Sequence, residues 1–250
     1  MRISDRCYAV LGLAYAPPWS VNAGFIIGDD TTLVVDTGAN TFAAATIHGY
    51  AVAIRPSNLM QVINTEKHFD HIGGNGFFRD QGSAIWGHVE VGRTEEEFLE
   101  ERAWFNQCIS SVARRSAHEE NAFYAGTRLT NATRLLHRET TFDLGGCVVE
   151  ALFTPGHTAS NISIWVPQDG VLFSGDCLIN DYLPNLDAGG PEEWRTWLKS
   201  LERIAALQPK TVLAGHGFVA HGNEVPGLVE TVRRVLQESI VRGHSPTAEL

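Results

Sequence analysis

NTEKHFDHIGGN, residues 64–75, gathers Glu66, His68, Asp70 and His71 into a span of six. Two imidazoles and two carboxylates this close together are too polar to be ordinary core. Upstream, MQVINT (60–65) reads as a short buried strand, and Gly73, Gly74 and Gly76 follow at once. The cluster is therefore expected at a strand's end, running into a turn and a short helix. In extended backbone Glu66, His68 and Asp70 point to one side, with Lys67 and Phe69 pointing away. His71 joins them only if the strand has ended, which the glycines allow.

Outward from this stretch, CYAVLGL (7–13), AGFIIG (23–28) and TTLVVD (31–36) are short apolar strands, with Asp29-Asp30 as a turn. Residues 41–55 have helical composition, and SAIWG (83–87) is a further strand ending near His88. Over 94–130 the strand signals vanish. EEEFLEERAWFNQCISSVARR (95–115) spaces its apolar residues as a helix does, so a helical insertion is predicted there, one helix or a broken pair. It is either a structural insertion or a roof over a substrate pocket, and the roof is preferred.

Strands resume with CVVEALFT (147–154), NISIWV (161–166) and GVLFSGD (170–176), the last two joined by a tight turn at 167–170. Pro191 opens a helix that puts Trp194, Trp197, Leu198, Leu201, Ile204 and Ala205 on one face, a core stripe. TVLAGHG (211–217) is a strand ending in a loop, and residues 225–242 form a closing amphipathic helix stopped by Gly243. No linker divides the chain, so residues 1–250 are read as a single domain. Strands, helix and strand occur twice in order. Two such halves packed sheet to sheet give an α/β fold, a four-layer αββα sandwich of two mixed sheets flanked by helices.

Composition narrows the partners. With 44% hydrophobic and 19% charged residues the chain is an ordinary globular one. A net charge of −10 argues against tracking nucleic-acid phosphates. The apolar runs are too short to span a membrane, and Asp5 and Arg6 interrupt the start, so no signal peptide is expected. Cys7, Cys108, Cys147 and Cys177 form no CxxC pair, which suits free thiols in a reducing compartment. A cytoplasmic location follows as the expectation.

The strong polar residues share one placement. Asp36 follows TTLVV, Glu66 to His71 follow MQVINT, His157 lies in TPGHT, Asp176 ends GVLFSGD and His216 lies in AGHG. Imidazoles and carboxylates collected at strand ends, with glycine beside three of them, suit a first-row metal site on a rigid floor. The plainer alternative is a set of buried histidines bonded to carboxylates, which five ordered motifs disfavour.

These motifs resemble those of the metallo-β-lactamase fold superfamily, whose His-x-His-x-Asp-His run precedes separate His, Asp and His ligands, each at a strand end. The resemblance covers Tyr8 to Gly222. It implies that one metal ion takes Glu66, His68 and His157, that a second takes Asp70, His71 and His216, and that Asp176 bridges them. Asp36 matches the aspartate behind the ligands. The cofactors implied are two divalent ions, zinc first.

Glu66 departs from the pattern, standing where the family's first histidine stands. A carboxylate adds negative charge and an oxygen donor, which opens the site to iron or manganese and acidifies bound water less. The alternative is a Glu66 that pairs with Lys67 or another neighbour and leaves its site weak. His48, His118, His137, His221 and His244 are expected at the surface or at helix ends. His88 has only its strand-end position to suggest a supporting role, and Cys177 is expected as a buried, inert thiol.

The resemblance implies hydrolysis: a metal-bridging hydroxide attacks an acyl carbonyl of a small-molecule substrate, and Asp70 orients it and takes its proton. Esters, thioesters, lactones and lactams all fit. With only 34 residues after His216, the helical domain of glyoxalase II relatives is not expected, nor is a basic arm of the RNase Z kind in so acidic a chain. An iron-dependent oxidoreductase of the same fold and a weakly metallated binding protein are the rival classes.

Overall fold

Both faces of the central strands are apolar, and this dictates the layering. The computed structural model describes residues 1–13, 20–108, 114–186 and 189–246. The first sheet is built from β1 (Cys7–Leu13), β2 (Val21–Ile27), β3 (Thr31–Val35), β4 (Leu59–Ile63), β5 (Ala84–His88) and β6 (Arg134–Leu136), in that spatial order. β1 to β3 pair antiparallel, and β3 to β6 pair parallel. Between β3 and β4 runs α1 (Thr41–Ile54), capped by the Asn40 side chain, which accepts the Ala43 N–H. The short α2 (Phe69–Ile72) and α3 (Asn75–Asp80) separate β4 from β5, and α4 (Glu95–Cys108) and α5 (Ala117–Phe123) separate β5 from β6.

The second sheet contains β7 (Thr140–Asp143), β8 (Val148–Phe153), β9 (Ile162–Val166), β10 (Val171–Gly175), β11 (Thr211–Ala214) and β12 (Ala220–His221). β7 to β10 are antiparallel, and β10 pairs parallel with β11 across α6 (Pro191–Leu207). α7 (Glu224–Arg242) ends at Gly243, whose φ of +79° supplies the left-handed stop.

Alternation along the strands sorts side chains into layers. Leu33, Val35 and Ile63 of the first sheet meet Ile162, Ile164, Val171 and Phe173 of the second in the central core. Their neighbours Phe25, Val34 and Val62 face outward onto Ala43, Ala44 and Ile47 of α1. On the far side Trp165, Leu172 and Val212 pack under Trp194, Trp197 and Leu201 of α6 and Leu228, Val232 and Leu236 of α7. The architecture is the expected αββα sandwich of two mixed sheets. No described helix is long and apolar enough to cross a membrane.

Several elements differ from the reading of the sequence. β6 and β7 are edge strands of three and four residues, too short to show a strand pattern in sequence. Of the helical stretch read at 95–115, α4 covers 95–108 and residues 109–113 lie outside the described residues; α5 follows at 117–123, in keeping with the broken-pair alternative. Asp70 sits on α2 rather than on extended backbone, because β4 ends at Ile63. Strand alternation therefore does not aim Glu66, His68 and Asp70; a turn and one helical turn do.

At Gly24, between the two sheets, a glycine is required. A Cβ on Gly24 would lie 2.5 Å from the Tyr8 carbonyl oxygen and 2.6 Å from the Phe173 ring. Gly24→Ala should therefore cost about 1–3 kcal/mol, the usual penalty for overpacking. Denaturant unfolding would read this as a lowered midpoint with unchanged slope; an unaltered midpoint would show that the sheets part freely.

Candidate metal centre

The ends of β3, β4, β8, β10 and β11 meet at one edge of the sandwich, and main-chain bonds between the sheets hold them there. Ile162 N–H donates to the Thr65 carbonyl at 2.6 Å, and Asn22 N–H to the Gly215 carbonyl at 2.7 Å. Close approach at this edge fixes two more glycines. A Cβ on Gly215 would meet Asp176 Oδ1 at 1.8 Å, and Gly175, with φ +51°, presses on Thr65.

Every residue singled out from the motifs arrives at this edge. Asp36 follows directly on β3 at φ +61°, a left-handed conformation that Asp tolerates better than most residues. Its carboxylate accepts the Thr65 N–H at 2.7 Å and hydroxyl at 2.6 Å, and lies 2.9 Å from His71 Nδ1. That bond turns His71 Nε2 inward, 3.3 Å from Glu66 Oε1 and 3.3 Å from Asp176 Oδ1. His216 Nδ1 lies 3.1 Å from the Ser20 carbonyl oxygen, leaving Nε2 at 3.4 Å from Asp70 and 3.3 Å from Asp176. His157 Nδ1 is 3.0 Å from the Asn185 carbonyl oxygen, and its Nε2 is 3.6 Å from Asp176 Oδ2.

His68 is oriented the other way. Its Nδ1 faces the cluster, 2.8 Å from the Glu66 carboxylate and 3.0 Å from His157 Nε2. Glu66 is fully buried and engages His68 and His71, not Lys67.

Three sets of donor atoms lie within 4.8 Å of one another and could each hold a cation: Glu66, His68 and His157; Asp70, His71 and His216; Glu66, His71 and Asp176. His71 Nε2 and Asp176 Oδ1 are buried beside charged neighbours yet make no hydrogen bond, and Glu66 Oε2 lies 2.8 Å from His68 Nδ1 while Oε1 takes that bond. Native proteins rarely leave buried polar atoms unpaired. Two oxygens and a nitrogen converging there are the donors a divalent cation requires, so the residues fit a metal.

Supporting residues beyond the motifs also emerge. Glu101 of α4 pairs with Arg93 and accepts the Phe69 N–H at 3.0 Å. Burial lifts its carboxyl to about 7 against the opposing pull of His68 and Arg93. It shares a helical stripe with buried Phe98 and Phe105, and a carboxylate within an apolar stripe was the available signal. Asn75 bonds Asn64 at 2.9 Å and the Thr130 carbonyl oxygen at 2.9 Å, and its Oδ1 accepts the Thr37 hydroxyl, bracing α2 from behind.

The remaining assignments divide simply. His88 is half-buried and packs against the Phe153 ring rather than joining the cluster. Cys177 is buried and free, its thiol raised to about 12 by burial. Trp197 belongs to the core but also backs the site: its Nε1–H donates to the Cys177 carbonyl oxygen at 2.9 Å, and its ring lies against Gly156, beside His157. His118, His137, His221 and His244 are exposed, and His48 is half-buried on α1.

Comparison with known proteins agrees with this geometry. Residues 16–216 match the Metallo-beta-lactamase superfamily. The chain is 28% identical over 207 residues to "Probable metallo-hydrolase YqgX" of Bacillus subtilis (strain 168), covering 80% of this chain and 86% of that protein. It is 27% identical over 194 residues to the hydroxyacylglutathione hydrolase of Methylococcus capsulatus (strain Bath), spanning 77% of this chain and 61% of the relative. A metallo-beta-lactamase family protein from Thermus thermophilus shares the fold, with a TM-score of 0.70 at 22% identity over 95% of this chain and 81% of that one.

Without a metal, protons must compensate the carboxylates. Burial disfavours charged imidazoles, but Glu66 beside His68 and Asp176 beside His216 prevail and raise them to about 9 and about 8. His157 is instead lowered by burial. Folded values above the ordinary 6.5 give stability that is complete below that pH and lost as pH rises through 8 to 9. The melting temperature of chelator-treated protein should therefore fall between about pH 6.5 and 9.5, and that of metal-loaded protein much less. A flat metal-free curve would show that these imidazoles stay neutral.

Proposed function

Since the chain belongs to the metallo-beta-lactamase superfamily, we propose that it is a metal-dependent hydrolase of a small-molecule acyl substrate. The observation carrying this reading is the trio of buried donors converging from Glu66, His71 and Asp176, with His71 Nε2 and Asp176 Oδ1 unbonded. One divalent ion is assigned to Glu66, His68 and His157, a second to Asp70, His71 and His216, and Asp176 stands between them. Zinc is the first expectation, with iron or manganese admitted by the Glu66 oxygen donor. The chain is read as one domain acting in the cytoplasm, with α4 and α5 as its insertion.

Bound there, the ions would supply an acidified water and a Lewis acid for the acyl carbonyl. The chain's own groups do the rest. Asp70 Oδ2, 3.4 Å from His216 Nε2, is placed to orient the attacking water and take its proton. Asp36 fixes the His71 ring through Nδ1, so that only Nε2 faces the reaction. The loops after β10 and β11 carry Leu183 and Phe218, 53% and 71% exposed, and Asn180 Nδ2–H joins them by donating to the Phe218 carbonyl oxygen. Those side chains offer an apolar lip for the acyl portion. Esters, thioesters, lactones and lactams form the substrate panel, and the relative named for hydroxyacylglutathione puts thioesters first.

Metal analysis of protein purified without added metal tests the reading: two ions per chain are expected, and iron in their place would favour redox chemistry. Asp176→Ala should lose nearly all metal and activity, whereas His244→Ala should lose neither. Full metal content in the Asp176 variant would overturn the assignment.

Glu66→His should bind zinc more tightly and move the acidic limb of the pH–rate profile to lower pH, since one negative charge leaves the ions' field. If affinity and midpoint both stay put, Glu66 is not a ligand. Phe218→Ala should raise KM several-fold for substrates with apolar acyl groups while leaving metal content alone. An equal change across polar and apolar substrates would argue against the lip.

A further inference from the structure

Three of the four clustered imidazoles are built alike. His71, His157 and His216 each engage an outer oxygen through Nδ1, on Asp36, Asn185 and Ser20 respectively, and turn Nε2 inward. His68 is reversed, with Nδ1 inward, so any outer partner must lie beyond its Nε2. There stands Glu101, on the helical insertion, with Oε1 4.0 Å from His68 Nε2. Its Oε2 is already held by the Phe69 N–H and by Arg93, which leaves Oε1 turned toward the ring.

Arg93 completes the arrangement. It pairs with Glu101 and also donates to the Lys67 carbonyl oxygen at 3.3 Å. The backbone on both sides of His68 is thus tied to this ion pair, by the Lys67 carbonyl before it and the Phe69 N–H after it. α4 is itself pinned above α2 by Phe98, whose ring centroid lies 4.6 Å from that of Phe69. A Glu101 side chain only 14% exposed, in a helix otherwise acidic on its solvent face, is poorly explained as a surface charge.

We propose that Glu101 is the positioning carboxylate of His68: it receives the Nε2–H, fixes the tautomer that presents Nδ1 to the cation, and makes the helical insertion part of the metal centre. The 4.0 Å separation exceeds a direct hydrogen bond, and a shift of about 1 Å in either side chain would form one. Outer partners of this kind hold ligand rings in place, and their removal typically costs 10–100-fold in metal affinity. The inference rests on the two-ion reading above.

Chelator competition against zinc, resolved into two binding steps, tests it. Glu101→Ala should weaken one step about 10–100-fold and spare the other. Glu101→Gln, which keeps an oxygen acceptor, should recover most of the loss. Cobalt substitution should show altered visible bands in the Ala variant and near-normal bands in the Gln variant. Asn106→Ala, which cuts the α4 bond to Glu120 without touching Glu101, should lower the melting temperature and leave both steps unchanged. Two unchanged steps in Glu101→Ala, or equal weakening in Glu101→Ala and Asn106→Ala, would overturn the proposal. Asp176→Ala separates the two readings: metal retained there defeats the two-ion site itself, while metal lost there with Glu101→Ala normal defeats only the role of Glu101.

Discussion

Four carboxylates and four imidazoles share one almost fully buried pocket, and their charges must be balanced there. Asp36, Glu66, Asp70 and Asp176 are each 4% exposed or less, and His71 is fully buried. Burial alone would drive the Asp36, Glu66 and Asp176 carboxyls neutral. Glu66 and Asp176 are nevertheless held below the ordinary range, Glu66 chiefly by His68 and His71, Asp176 chiefly by His216 and His71. Desolvating such groups unpaired costs several kcal/mol each, so the cluster exists only with protons or cations among the carboxylates. Protons on imidazoles meet the requirement partly, which is why His71 Nε2 and Asp176 Oδ1 stay unbonded. Cations meet it more fully, because one ion can engage several donors at once.

Holding like charges together needs a backbone that cannot relax, and the sandwich supplies one. The ligand-bearing segments leave the ends of strands whose both faces are packed, so none can swing away without opening a core. Asp36 is bound at its left-handed φ by two bonds from Thr65, and Thr65 in turn accepts the Ile162 N–H from the opposite sheet. Gly215 leaves the room that the Asp176 carboxylate occupies. The central core thus sets the distance between the two groups of donors.

The layered fold was legible because its strands are buried on both faces and read as continuous apolar runs. β6, β7 and β12 were not, since edge strands this short cannot show that pattern. The motif residues were legible by type and order, and the fold brings all of them to one edge. What aims them was not: the extended alternation expected through Glu66, His68 and Asp70 gives way to a turn and the start of α2. The outer oxygens on Ser20 and Asn185 are backbone carbonyls, which no side-chain motif can announce. Glu101 lay hidden in a run of glutamates, distinguishable only by its register with Phe98 and Phe105.

In the proposed two-ion centre, Glu66 and Glu101 would together alter the character of one half. A carboxylate in the Glu66 position contributes a full negative charge where an imidazole contributes none, and the Arg93-paired Glu101 faces the His68 ring from outside. Both act on the same half of the cluster, since Glu66 and His68 belong to one donor set with His157. The other set has Asp36 behind His71 and Asp70 as its carboxylate, so it is already acidic. The inequality expected between an all-imidazole half and a mixed half is therefore reduced, and each half presents oxygen and nitrogen donors to a cation. Oxygen donors favour harder ions, and added negative charge weakens the acidifying effect on bound water. With cations bound, a centre of this kind would give up some power to ionise water and some of zinc's advantage over harder ions, with Arg93 keeping the outer carboxylate from adding uncompensated charge.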